Sequence, residues 1–282
     1  MKAMMMLVRR EFWEHRMLLF APITLCVIFL VLCALAGANF DIGWMNFDGT
    51  SGAQQAMPRG FYLVMNLVFT ILLYALMAMV AFFYLCDCLY AERKDRSILF
   101  WKSLPVSDTM TVLSKLVVAL VGVPLVVYGL ALVTNALSWV IFMVTVDFAP
   151  SRGPTALNWL KMNGYLLADV FVLALWFAPI AAYQLVVSVW VPRAVAVWTL
   201  LPPVAVILGQ KIFFDSWSIA ELVRQRFGGF TINFGGGESP AAAIDAINAI
   251  PLLARADLWI GVAIAAVLVY VTIRIRRHSD DT

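Results

Sequence analysis

The sequence predicts an all-α integral membrane protein with six transmembrane helices, and three observations carry that prediction. First, 63% of its 282 residues are hydrophobic and only 13% are charged, against about 45–50% and about 25% in soluble domains. A water-soluble fold of this length must also cover its own surface and cannot hide so much apolar side chain. Second, six stretches reach the roughly 20 apolar residues needed to cross a hydrocarbon core: residues 17–38, 61–90, 111–146, 164–191, 194–214 and 252–273. Third, the basic residues cluster at the ends of these stretches and the net charge is only +3, which excludes the basic face of a nucleic-acid binder.

Residues 1–16 open the chain as an amphipathic helix. Met1, Met5, Val8 and Phe12 form an apolar stripe at helical spacing, with Arg9, Arg10, Glu11, Glu14 and Arg16 expected largely off it. Such a helix lies in the membrane interface, with Trp13 placed to anchor at headgroup depth. The first apolar run ends Ala34-Leu35-Ala36, superficially like a signal-peptide cleavage site. Its long charged leader and long apolar core favour a retained span.

The third apolar run would extend about 54 Å as one helix, well beyond a roughly 30 Å core. It has no polar turn at which to divide, but it does contain Gly122, Pro124 and Gly129. It is therefore expected to be a single kinked helix. That choice gives six spans and places both termini on one side, which the charge count assigns to the cytoplasm. Thirteen of the 20 Lys and Arg residues then lie inside, the distribution that the positive-inside rule favours.

Between the second and third spans, residues 91–108 carry the run Glu92, Arg93, Lys94, Asp95 and Arg96, then Ser97, Ile98, Leu99, Phe100 and Trp101. Pro105 stops this segment, and Ser107 or Asp108 can cap the next span. Charges beside bulky apolar anchors suit a short helix that docks into a groove on a cytoplasmic protein. Residues 215–251 form the longest outer segment. There Ser218 and Glu221 read as a capping box, a glycine-rich break follows, and a second helix over 241–250 ends at Pro251. The two form an outer-face helical hairpin before the last span.

Asp87 and Asp169 are the carboxylates inside the spans, with Asn66 and Asn135 as milder polar cases. A charge at that depth faces a cavity, a partner or the interface. All four are candidates for lining a cavity or for pairing, with pairing favoured for the two aspartates. Ala174, Ala178 and Ala182 make a small-residue stripe for close helix packing.

Several chemistries are excluded. The two histidines, His15 and His278, lie in the flanks, so no HExxH metal site or intramembrane Ser–His pair can form. Cys86 and Cys88 point to nearly opposite sides of a helix and share no metal. No metal site is expected. No G-x-x-x-x-G-K-[ST] sequence occurs, so this chain holds no P-loop.

The order of elements, with the local run Tyr90-Ala91-Glu92-Arg93-Lys94-Asp95-Arg96-Ser97, then Leu104-Pro105-Val106-Ser107, then Leu113-Ser114-Lys115, resembles the type-2 ABC transporter permeases. The resemblance implies one permease domain over residues 1–282, with a coupling helix at Glu92–Trp101 seated on a separate ATPase. It implies that Arg9, Arg10, Glu11 and Glu14 belong to a connecting helix beside that ATPase. The implied assembly has two ABC ATPase subunits and a second permease chain, identical or homologous, in the lipid of the bacterial inner membrane. ATP and Mg are expected on the partner, with no cofactor bound and no reaction catalysed by this chain. The expected function is export of a hydrophobic or amphipathic substrate, such as a lipid, peptide or drug, by alternating access. The alternative is a non-transporting sensor or scaffold that recruits a cytoplasmic ATPase or other partner.

Overall fold

The computed structural model describes residues 2–39, 53–95, 107–145, 156–228 and 248–278. The described residues are helical apart from short connections and contain no strand. Six helical segments are long and apolar enough to cross a membrane, so the chain is a multi-pass membrane protein.

The N-terminal helix α1 (Lys2–Glu14) turns at His15 into the first span, α2 (Met17–Asn39). The second span, α3 (Ala53–Asp87), begins eight residues before the expected boundary and ends at a turn into the short α4 (Tyr90–Lys94). The third span is continuous: α5 (Asp108–Val117), a π-helical turn (Val118–Gly122) and α6 (Val123–Thr145). Pro124 has no N–H to return to the carbonyl four residues back, so the ladder widens to i→i+5 just before it. The Gly122–Pro124 irregularity expected from the sequence therefore takes the form of a π-turn. Ser107 caps α5, its hydroxyl accepting the Met110 N–H at 3.3 Å.

The fourth span, α7 (Ala156–Trp190), also begins eight residues early. Its 35 residues make a rod of about 52 Å. A tight turn through Ala194, left-handed at φ 54°, leads into the fifth span, α8 (Val195–Phe214). Then come α9 (Ser218–Gly228), a 3₁₀ turn (Ile250–Ala254) and the sixth span, α10 (Ala256–His278). The second helix expected over 241–250 lies almost wholly outside the described residues.

The main core lies where α2, α3, the third span and α7 meet, around Leu73, Leu89, Val112, Val118, Val127 and Leu185. The most extensive pairing is α7 with α10. Ala178 and Ala182 meet Ala265 there, so the alanine stripe lets two backbones approach, as small residues do in membranes. By contrast α8 is peripheral, with Leu200, Leu201, Val204 and Leu208 exposed. All four cysteines are buried free thiols.

Two local expectations are corrected. In α1 the inward face carries Leu7, Val8, Glu11 and Phe12, whereas Met5 is 70% exposed. The helix is rotated toward Glu11 because that carboxylate has partners inside. Ser218 and Glu221 do not form a capping box. Ser218 is the first helical residue, its N–H donates to the Ser216 hydroxyl at 3.3 Å, and the Glu221 carboxylate accepts two bonds from Arg224 at 2.7 Å.

Candidate functional site

One end of the bundle gathers the charged residues of four elements into a buried ionic cluster. The site starts from α1. Its inward turn puts Glu11, with no exposed surface, against the first turns of the third span. Lys115 on α5 donates to both Glu11 oxygens, at 3.0 and 3.2 Å, and lies 3.0 Å from Glu92 Oε1. The Tyr84 hydroxyl, from the end of α3, donates to Glu11 Oε2 at 2.9 Å.

Glu92 extends the cluster to the last span. Its Oε2 accepts from Arg276 on α10 at 2.7 Å, and the same guanidinium reaches Asp108, the first residue of α5, at 3.1 Å. Arg10 closes the other side, donating to Glu11 at 3.0 Å and Glu92 at 3.1 Å while pairing with Glu14 at 3.1 Å. Lys115 and Arg276 are 1% and 2% exposed. An isolated ion at such burial costs several kcal/mol, and only mutual pairing with saturated hydrogen bonds offsets that. The cluster is therefore a tie among α1, α4, the third span and α10.

Arg93 makes a separate tie. Its guanidinium donates to the carbonyls of Ser188 at 2.6 Å and Val191 at 2.8 Å, satisfying the open C-terminal end of α7. The Ser188 hydroxyl in turn donates to the Cys86 carbonyl and accepts the Tyr90 N–H. Glu92 and Arg93, expected among the docking charges, thus turn inward onto their own chain. Lys94 and Asp95 remain exposed. Arg96, Ser97, Ile98, Phe100 and Trp101 lie outside the described residues.

Arg9 is exposed, its guanidinium 5.7 Å from the ring centre of the exposed Trp13. Glu11, Glu14 and His15 bring ligand atoms within 4.8 Å of one another. Both Glu11 oxygens already accept bonds from Lys115 and Tyr84, and Glu14 is paired with Arg10, so the trio is an ion-pair corner in composition. Burial holds the His15 imidazole below its ordinary pKa against the opposing pull of Glu11, with Tyr84 edge-on at 4.9 Å.

The four intramembrane polar candidates do not converge. Asp169 accepts the Ala249 N–H at 2.8 Å, anchoring the approach to α10. The Ser138 hydroxyl lies 2.9 Å from Asn66 Oδ1 and 3.0 Å from the Asn135 carbonyl of its own helix, with one proton to share between the two acceptors. The contact with Asn66 joins α3 to α6. Asp87 is exposed near the ionic cluster.

Toward the other end, α9 is held by a reciprocal clasp absent from the sequence expectations. The Trp176 indole N–H donates to the Arg226 carbonyl at 2.8 Å, and the Arg226 guanidinium lies 4.2 Å from the Trp176 ring. Arg226 also donates to the carbonyls of Trp176 and Asp257. It rests on Gly261, where a Cβ would run into the guanidinium. The segment after the fifth span is thereby pinned to both α7 and α10.

Tyr84, Lys115, Asp108 and Arg276 are the cluster residues that pattern reading did not single out as a site. Lys115 offered the clearest signal, a lone cation at the head of a long apolar run. Comparison with family models, curated proteins and solved structures gives no match.

Proposed function

We propose that the chain is the membrane-spanning permease subunit of an ATP-binding cassette transporter, exporting a hydrophobic or amphipathic substrate. The observation that favours this reading is the ionic cluster. It couples the loop after the second span to α1, the third span and α10 through buried, desolvated pairs rather than through a solvated turn. A push on residues 91–107 from a cytoplasmic partner would therefore move three other elements as a unit. ATP and Mg2+ belong to the partner ATPase, present in two copies, and the charged end faces the cytoplasm of the bacterial inner membrane. A second permease chain completes the pathway, and the exposed face of α8 is available for it or for lipid.

The placement of Glu92 and Arg93 changes where docking should be probed. Among the described residues of this segment, the exposed Lys94 and Asp95 are the charges that can set register on a partner, whereas Glu92 holds the lever together. Affinity purification from native membranes should bring down a P-loop ATPase whose hydrolysis depends on this chain. Combined Lys94→Glu and Asp95→Lys reversal should lower that stimulated turnover at least tenfold with the chain still folded, since lost interfacial charge pairs cost about 2–5 kcal/mol. Full stimulation by the reversed chain would place the contact elsewhere. Purification with a cytoplasmic partner that hydrolyses no nucleotide would favour the sensor or scaffold reading.

A further inference from the structure

Beside the ionic cluster, α2, α3 and the start of α8 enclose an open groove of about 930 Å³, at the upper end of the roughly 300–1,000 Å³ range of small-molecule sites. Three chain turns meet at its mouth: His15–Arg16, Asp87–Leu89 and the left-handed elbow at Ala194. Helix ends with open backbone groups belong at the level of water and headgroups, not in hydrocarbon. The mouth therefore sits in the interface and the groove runs from it into one leaflet. Its wall is apolar and includes Leu76, Met79 and Phe83, the last two 54% and 55% exposed.

The mouth carries both signs of charge. Asp87 is exposed, and its carboxylate makes no hydrogen bond or ion pair among the described residues. Glu14 is 44% exposed, with one contact to Arg10. Arg16 is exposed on the same rim. His15, between them, is held toward its neutral form by burial. Two carboxylates and one guanidinium over an apolar trough match a headgroup with an ammonium and a phosphate, followed by an acyl chain. An anionic headgroup would meet two carboxylates, and a choline would offer them no N–H donor.

We propose that this groove holds one phosphatidylethanolamine molecule of the adjoining leaflet. Its ammonium donates to Asp87 and Glu14, its phosphate accepts from Arg16, and an acyl chain lies along Met79 and Phe83. The proposal requires only that the chain be embedded in a bilayer, so its failure leaves the ATPase-docking reading standing, and the reverse also holds.

The test is native mass spectrometry of the full chain, with whatever subunits copurify, released from nanodiscs. The nanodiscs contain equal amounts of phosphatidylethanolamine, phosphatidylcholine and phosphatidylglycerol with identical acyl chains. One ethanolamine lipid should be retained about tenfold over either competitor, the preference expected from one charge-assisted hydrogen bond. Asp87→Asn should bring that preference near parity with choline. Stronger retention of phosphatidylglycerol, equal retention of all three, or a preference unmoved by Asp87→Asn would overturn the proposal. Should the variant fail to fold, the wild-type chain with mono-, di- and trimethylated ethanolamine lipids decides. Retention should fall as N–H donors are removed, and a flat series would overturn the assignment.

Discussion

Lys115 lies between two carboxylates contributed by distant parts of the chain, Glu11 and Glu92, and is 1% exposed. Removing it leaves two buried anions short of a cation, so Lys115→Met should destabilise the chain by about 3–5 kcal/mol. In a thermal scan of the detergent-solubilised protein that is a fall on the order of 10 °C. Adding Glu11→Gln should recover part of the loss, because one unpaired charge disappears. A midpoint unchanged by Lys115→Met would mean the cluster is solvated. His15 supplies a pH dependence with a definite sign. Its folded pKa is depressed by burial, so the unfolded chain binds more protons, and stability is lost as pH falls below about 6.5. The same scan between pH 7.5 and 5.5 should show a decline that His15→Gln flattens. None of this pairing was legible in the sequence. Glu11, Glu92 and Arg276 read as flank charges, and Lys115, although a lone cation at the head of an apolar run, names no partner; only the fold brings four such distant positions together.

Elements were read more successfully than their faces. Hydropathy located all six spans, and the absence of a polar turn in residues 111–146 correctly argued for one long helix. Periodicity was half right in α1: of the stripe Met1, Met5, Val8 and Phe12, Val8 and Phe12 pack inward, but Met5 is exposed and Glu11 turns inward, while Met1 lies outside the described residues. A stripe assigned by hydrophobicity cannot anticipate a carboxylate buried by its partners. The π-turn has a structural consequence at Gly122, where a Cβ would sit 3.3 Å from the Phe12 ring. The N-terminal helix therefore packs directly on the irregular turn of the third span. Gly122→Leu should push Phe12 away and loosen α1, seen as faster amide hydrogen exchange across residues 4–14 while α7 stays protected. Unchanged protection of α1 would show that the ionic cluster alone holds it. The Arg226–Trp176 clasp was invisible for a similar reason, since an arginine in an outer loop reads as a solvated charge until a tryptophan on another helix covers it.

At the scale of the molecule, two tied ends frame the bundle. The ionic cluster joins the loop between the second and third spans to the first and last elements, and the Arg226–Trp176 clasp joins the segment after the fifth span to α7 and α10. Between them, the spans are linked by helix packing and by side-chain bonds such as Ser138–Asn66 and Tyr183–Thr199, so relative motion of the two ends is carried through these contacts. In the proposed transporter, ATP-driven movement enters at the ionic cluster and opens the pathway near the clasp. The most direct test is a photo-crosslinking amino acid placed at Asp95 in the full chain in native membranes. The expected product is a cytoplasmic adduct to a P-loop ATPase whose yield changes when ATP replaces ADP. An adduct to a protein of the opposite compartment, or only to lipid under both nucleotides, would contradict it.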